Sequence, residues 1–185
     1  MATRKGAGSG AHHASPALRV REPALRYRVA SQPATRTQAD GAPRRALLDG
    51  NVLIALRDAD HLHHARATAW LSANIAAGWA SCAITQNGCV RIMSQPGYPN
   101  ALPAARVAQR LREATQTTHH RFIPESVSLL DQQRFDADQL LSHRQISEAY
   151  LLGLALSARL RFVTFDDGVA VRVVCGAQAS DWVLL

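Results

Sequence analysis

The sequence predicts an α/β domain over residues 46–185, with a central parallel sheet and helices on both faces. Two observations carry this. Short apolar runs of strand length alternate along the chain with longer amphipathic stretches of helical length, the pattern of strands joined by helical crossovers. Acidic residues also stand directly after two of the apolar runs, where an open α/β sheet builds its site beyond the carboxyl ends of its strands.

The first element is the buried strand Ala46-Leu47-Leu48, and Asp49-Gly50-Asn51 turns the chain into an apolar helix through Val52, Leu53, Ala55 and Leu56. After Asp58-Ala59-Asp60 the spacing predicts a helix over roughly 61–77, with Ala65, Ala69, Leu71 and Ile75 inward. A second strand covers Trp79 to Ile84. Thr85 is placed to cap a helix that runs to about Ser94 and is broken by Gln95-Pro96-Gly97-Tyr98-Pro99. A further amphipathic helix occupies about 103–115, with Val107 and Leu111 on one face and Arg106 and Arg110 on another. Arg121-Phe122-Ile123 is a short strand, and 127–141 is expected to contain a helix. Ser147 opens an apolar helix over 148–158, which leads into a strand over 161–165. Two late strand-like pieces, 171–174 and 182–185, complete the expected sheet.

Composition bounds the function. With 185 residues, 47% hydrophobic and 19% charged, the chain is long enough for one well-buried domain. No apolar run approaches the ~18–20 residues that span a bilayer, and no secretory h-region appears, so an integral membrane protein is not expected. Cys82, Cys89 and Cys175 are odd in number and widely spaced, which suggests neither a disulfide framework nor a zinc finger and fits a reducing cytoplasm. The formal charge of +7 invites a nucleic-acid partner, but residues 1–45 hold nine Lys/Arg against Glu22 and Asp40. Residues 46–185 balance twelve Arg against twelve acids, so RNA binding by the folded part must use local arginines. The segment 1–45, rich in Ala, Arg, Pro and Ser, reads as a disordered basic leader. A start assigned too far upstream is the favoured explanation, with a transit peptide or an RNA- or membrane-surface arm as alternatives.

Asp49 follows the first strand, Asp166 and Asp167 follow Phe162-Val163-Thr164-Phe165, and Glu148 opens the helix before that strand. Carboxylates gathered in one small cleft repel one another, and a hard divalent cation such as Mg²⁺ relieves the repulsion. Such a site suits metal-assisted attack of water on a phosphodiester. Plainer readings stand beside this one. Asp49 is also a good helix cap, Glu148 also complements a helix dipole, and Asp166-Asp167-Gly168 is also an ordinary turn. His61, His63 and His64 lack an acidic or thiol partner at ligand spacing, so zinc is not expected. No glycine-rich phosphate loop follows a strand and no nucleophile elbow is present, which argues against a nucleotide-binding flavodoxin-like domain and against covalent hydrolysis.

The segment Leu47-Leu48-Asp49-Gly50-Asn51-Val52-Leu53-Ile54-Ala55-Leu56 resembles the "LLDTNVLIAL" opening of PIN-domain toxins. Ser147-Glu148-Ala149-Tyr150-Leu151-Leu152 resembles their "TDAYLLALA" segment, and Val163-Thr164-Phe165-Asp166-Asp167-Gly168 resembles their "TFDRG". His61–Ala65, Thr85-Gln86-Asn87-Gly88, Val90-Arg91-Ile92 and His143-Arg144-Gln145 look like connecting segments of one VapC branch, and the match runs in order over about residues 46–170. The resemblance implies a Rossmann-like PIN fold and the toxin half of a VapBC pair: an endoribonuclease using Mg²⁺ or Mn²⁺, held in check by a VapB-type antitoxin, and usually a homodimer. By position Asp49, Glu148 and Asp166 inherit the catalytic and metal-ligand roles. Asn87, Arg144 and Asp167 are secondary or substrate-contacting candidates.

Three departures accompany the resemblance. Asn87 stands where many members place a Glu, and Gly50 replaces a Thr whose hydroxyl would orient Asp49. Glu148 stands where the family has Asp, and its extra methylene moves the carboxylate by ~1–1.5 Å. These differences point to a slow or Mn²⁺-preferring nuclease, or to a degenerate PIN domain that binds antitoxin or RNA without cleavage.

Overall fold

The computed structural model describes residues 44–185, so the predicted leader lies, apart from Arg44 and Arg45, outside the described residues. Five strands form one parallel sheet: β1 (Ala46–Leu48), β2 (Trp79–Ser81), β3 (His120–Phe122), β4 (Arg161–Thr164) and β5 (Trp182–Leu184), in the order β3-β2-β1-β4-β5. Five α-helices connect them: α1 (Gly50–Arg57), α2 (His64–Asn74), α3 (Ala83–Met93), α4 (Ala104–Thr115) and α5 (Ile146–Ser157). The predicted α/β architecture is the observed one.

Side chains that alternate along each strand divide the core into two layers, as the pleat requires. Ala46, Leu48, Trp79 and Val163 face one way and pack with Val52, Leu53 and Ile54 of α1, Cys89 and Met93 of α3, and Val107 and Leu111 of α4. Leu47, Ala80 and Phe162 face the other way, against Ala149, Leu151, Leu152 and Ala155 of α5 together with Phe135 and Val173. Helices therefore cover both faces, and α1 and α5 are apolar enough to be largely buried. Among the described residues no helix is long and apolar enough to cross a membrane.

Several local expectations are corrected. The helix expected within 127–141 does not form. Ser128 and Asp131 accept hydrogen bonds from the backbone N–H two residues on, as does Asp136, and these local turns compete with the helical ladder. A single 3₁₀ turn over Ala137–Gln139 remains, and Phe135 is pinned into the core beside Gly153, where a β-carbon would overlap its ring. The segment Val171–Val173 is a 3₁₀ turn rather than a strand, because residues 134–136 hold its flanks: Asp136 N–H donates to Val173 O and Cys175 N–H donates to Arg134 O. The second strand ends at Ser81, and α3 starts before Thr85, which sits one turn inside and accepts from the Cys82 N–H at 3.1 Å. On α2 the inward residue is Ala67, while Ala65 and Ala69 are exposed.

The strand order places the functional edge. From β1 the chain moves outward through β2 to β3, then returns to the other side of β1 to lay down β4 and β5. The switch point is the gap between β1 and β4, and in open α/β sheets the cleft outside the carboxyl ends of such strands receives the ligand. Asp49 and Asp166 follow those two strands.

Candidate active site

Asp49 both caps α1 and faces the cleft. Its Oδ1 accepts from the Gly50 N–H at 2.6 Å, while its Oδ2 accepts from the Thr164 hydroxyl at 2.7 Å. Thr164, the last residue of β4, is fully buried, and its hydroxyl uses its one donor and both acceptor positions. It accepts from Asn51 Nδ2 and from the Asp166 backbone N–H, each at 3.1 Å. One hydroxyl thus joins the first-strand acid, the first helix and the acid after the fourth strand. The orienting hydroxyl that Gly50 cannot provide comes instead from across the sheet.

Asp166 is exposed and held by its own turn, with the Gly168 N–H donating to Oδ1 at 2.7 Å. A β-carbon on Gly168 would lie 3.0 Å from that oxygen, so a glycine here lets the turn close tightly. Asp167 is exposed beside it.

Glu148 lies in the first turn of α5 and is half-buried, with Oε2 sealed from water and without a hydrogen-bond partner. Burial, reinforced by the neighbouring charges of Asp49 and Asp166, pushes its carboxyl up to about 7, against a lowering hydrogen bond from its own backbone. Asp49 is raised in the same direction by burial, opposed by its bonds to Thr164 and Gly50. The three acids expected at the site are therefore close enough to feel one another. The side-chain amide Oδ1 of Asn51 is a second buried oxygen there without a partner.

This donor set suits a hard divalent cation. All its atoms are carboxylate or amide oxygens, the charge is in excess, and two buried oxygens lack a hydrogen-bond partner. A buried acceptor left unsatisfied costs ~1–3 kcal/mol. As the side chains stand, no cluster of three or more His, Cys, Asp or Glu among the described residues is drawn together tightly enough to hold an ion. Mutual repulsion opposes such an approach until a cation offsets it.

The secondary candidates lie differently. Asn87 is exposed on α3 and takes part in none of the hydrogen bonds that join Asp49, Thr164 and Asp166. Arg144 is exposed on the 3₁₀ turn leading into α5, its backbone N–H bonded to Ser142 Oγ at 3.2 Å. His64 Nδ1 lies 2.7 Å from Ala55 O, and His61 Nδ1 accepts from the His63 N–H at 3.1 Å, so both rings serve the α1–α2 connection. Cys82, Cys89 and Cys175 are free thiols.

Two residues of this network, Thr164 and Asn51, are not singled out by the sequence. Thr164 reads there as one more strand residue, and only the pairing of β1 with β4 brings it to Asp49. Asn51 leaves a weak signal, since a polar amide at the head of an otherwise apolar helix has little propensity reason to be there. A surface cavity of about 450 Å³, lined by Leu56, Arg57, Arg110, Glu113 and Ala114, contains none of Asp49, Glu148 and Asp166. Asp49 and Asp166 stand instead beyond the carboxyl ends of β1 and β4.

Comparison with known proteins places this geometry in context. No family model matches the chain. Ribonuclease VapC44 of Mycobacterium tuberculosis is 51% identical over 133 residues, covering 72% of this chain and 94% of that protein. Ribonuclease VapC38 of the same organism is 41% identical over 125 residues (67% and 86%), and ribonuclease VapC39 is 39% identical over 127 residues (68% and 91%). Among solved structures, the sarcin-ricin-loop-cleaving toxin VapC20 of Mycobacterium tuberculosis aligns at 14% identity with a TM-score of 0.49, covering 72% of this chain and 96% of that one.

Proposed function

The chain belongs to the VapC family of PIN-domain toxin ribonucleases, and from that premise we propose that it hydrolyses RNA phosphodiester bonds with a divalent cation, Mg²⁺ or Mn²⁺, held by Asp49, Glu148 and Asp166. The observation that carries this reading is the placement of Asp49 and Asp166 after β1 and β4, joined through the Thr164 hydroxyl at the β1–β4 switch point, with Glu148 Oε2 buried and unpartnered. A cation held there would supply charge neutralisation for the phosphate and a lowered pKa for the attacking water. The protein's own residues prepare the site. Thr164 holds Asp49 Oδ2 in place, the Gly168 N–H fixes Asp166, and Asn51 offers its amide oxygen. Glu148, whose carboxyl ionises near 7, would have to release its proton to serve as a ligand, so cation affinity would rise with pH around neutrality. Arg144, exposed before α5, contacts substrate phosphate.

The partner implied is a small VapB-type antitoxin, and the chain works as a homodimeric toxin in the cytoplasm, without a membrane role. A second reading, a PIN domain that binds antitoxin or RNA without cutting, draws on one observation: Asn87 is exposed and apart from the Asp49–Thr164–Asp166 bonds, which leaves three acids at the site.

The test is incubation of the purified full chain, free of antitoxin, with total RNA in Mg²⁺, in Mn²⁺ and in EDTA. Discrete cleavage that needs metal and disappears in both Asp49→Asn and Asp166→Asn is expected. Intact RNA under every metal, from folded protein that still binds its antitoxin, would establish the binding-only reading.

A further inference from the structure

Beside the acidic cleft stands an arginine that the reading above leaves without a role. Arg66 is exposed on the first turn of α2, and its guanidinium carbon lies 5.4 Å from the centre of the Phe165 ring. Phe165 is stacked on His63, with ring centres 4.5 Å apart and planes inclined by 23°, and His61 follows at 5.7 Å from His63. His63 and Arg66 are three residues apart, so both project from one side of the start of α2. Phe165 is the residue immediately before Asp166, so this aromatic seat lies one residue along the chain from the acid that follows β4.

Three features suit Arg66 to an anion. Ion pairs among the described residues join Arg44 to Asp181 and Arg134 to Asp131, whereas Arg66 has no carboxylate partner. An aromatic ring beneath a guanidinium restricts its orientation without neutralising it, and leaves the N–H fork for a ligand. The neighbouring acids Asp49, Glu148, Asp166 and Asp167 repel a polyanion, and residues 46–185 carry no excess positive charge to offset this. A strand entering the cleft needs a cation at its rim, and a guanidinium is matched to a phosphate by paired N–H donors.

We propose that Arg66, seated on Phe165 and His63, is an RNA-binding residue that takes a backbone phosphate flanking the bond positioned at the acidic cleft. This rests on the reading of the cleft as an RNA-cleaving site, so the test separates the two. The full chain is titrated with a short fluorescein-labelled single-stranded RNA in EDTA, where nothing is cut, over a series of salt concentrations. Arg66→Gln is compared with Arg159→Gln, an exposed arginine before β4 at the opposite edge of the sheet.

Arg66→Gln is expected to weaken binding about tenfold and to reduce the slope of log affinity against log salt by about one. Arg66→Lys keeps the charge and the slope but not the full affinity. Arg159→Gln changes neither. Unchanged binding by Arg66→Gln, an equal loss in Arg159→Gln, or no binding by the wild-type chain overturns the proposal. If the losses appear at Arg66 but no metal supports cleavage, the nuclease reading fails and the RNA subsite stands.

Discussion

The Thr164 hydroxyl donates to Asp49 Oδ2 at 2.7 Å across 115 residues of sequence, and at 3.1 Å accepts the backbone N–H of Asp166. A side chain with no titratable group thereby sets the spacing of the two acids that follow the neighbouring strands β1 and β4. Thr164→Val keeps the shape and removes the hydroxyl, leaving Asn51 Nδ2 and the Asp166 N–H without their acceptor. Metal-dependent cleavage is expected to fall by about 10²-fold, the scale of a ~1 Å misplacement at a reacting centre, with ~1–3 kcal/mol lost in stability. Thr164→Ser restores most of both. Single-turnover rates and urea unfolding on the three proteins check this, and an unchanged rate in Thr164→Val would remove Thr164 from the site.

Glu148→Gln separates stability from activity. Glu148 ionises near 7 in the folded chain and near its ordinary value of 4.5 when unfolded. The folded state therefore holds a proton that the unfolded state has released, and this group's contribution to stability declines as pH rises from about 5 through 7. The half-buried histidines His61, His63 and His120 are shifted below their ordinary range by burial and act in the opposite sense, so the difference between variant and wild type is the quantity to measure. In EDTA, Glu148→Gln is expected to match the wild-type melting temperature at pH 5 and to exceed it by a few degrees at pH 8. Mn²⁺ at pH 8 raises the wild type and not the variant, and cleavage is lost. Equal melting temperatures at pH 8 would show that Glu148 carries no buried charge penalty.

Glu148→Asp withdraws the carboxylate by one methylene, to the length the family resemblance assigns to this position. A Mg²⁺-dependent rate ten- to a hundredfold above wild type is expected, within the range that a ~1 Å correction allows. Initial rates on one RNA substrate in Mg²⁺ and Mn²⁺ decide it. A slower variant would mean that the cleft is built around the longer side chain.

Further along α5, Gly153 lies under the Phe135 ring so closely that a β-carbon would overlap it. Gly153→Ala improves helix propensity by ~1 kcal/mol but overpacks the core, for which ~1–3 kcal/mol is typical. A net loss of up to about 2 kcal/mol is expected by urea unfolding. Adding Phe135→Leu should make the Gly153→Ala step less costly, and a simple sum of the two single losses would show that they do not share this contact.

Much of this domain is determined locally. Strand-length apolar runs, the amphipathic pattern of α4 and the capping geometry at Asp49 are properties of a few adjacent residues, so the alternation of strands and helices, and hence the α/β class, is present in the sequence itself. Acids that follow strands β1 and β4 are equally visible, because a chain-local rule ties strand ends to sites. The turns over 127–141 are legible only in part. Apolar spacing there imitates a helix, and the side-chain oxygens of Ser128, Asp131 and Asp136 prevail once Phe135 is buried against Gly153. Tertiary structure alone decided the rest. Thr164 on Asp49, the raised carboxyl of Glu148 and Arg66 over Phe165 all join residues far apart in the chain. Their hydrogen bonds, desolvation and ring contacts exist only after β4 has paired with β1 and α2 and α5 have packed beside the cleft, since each depends on distance in space and none on spacing along the sequence.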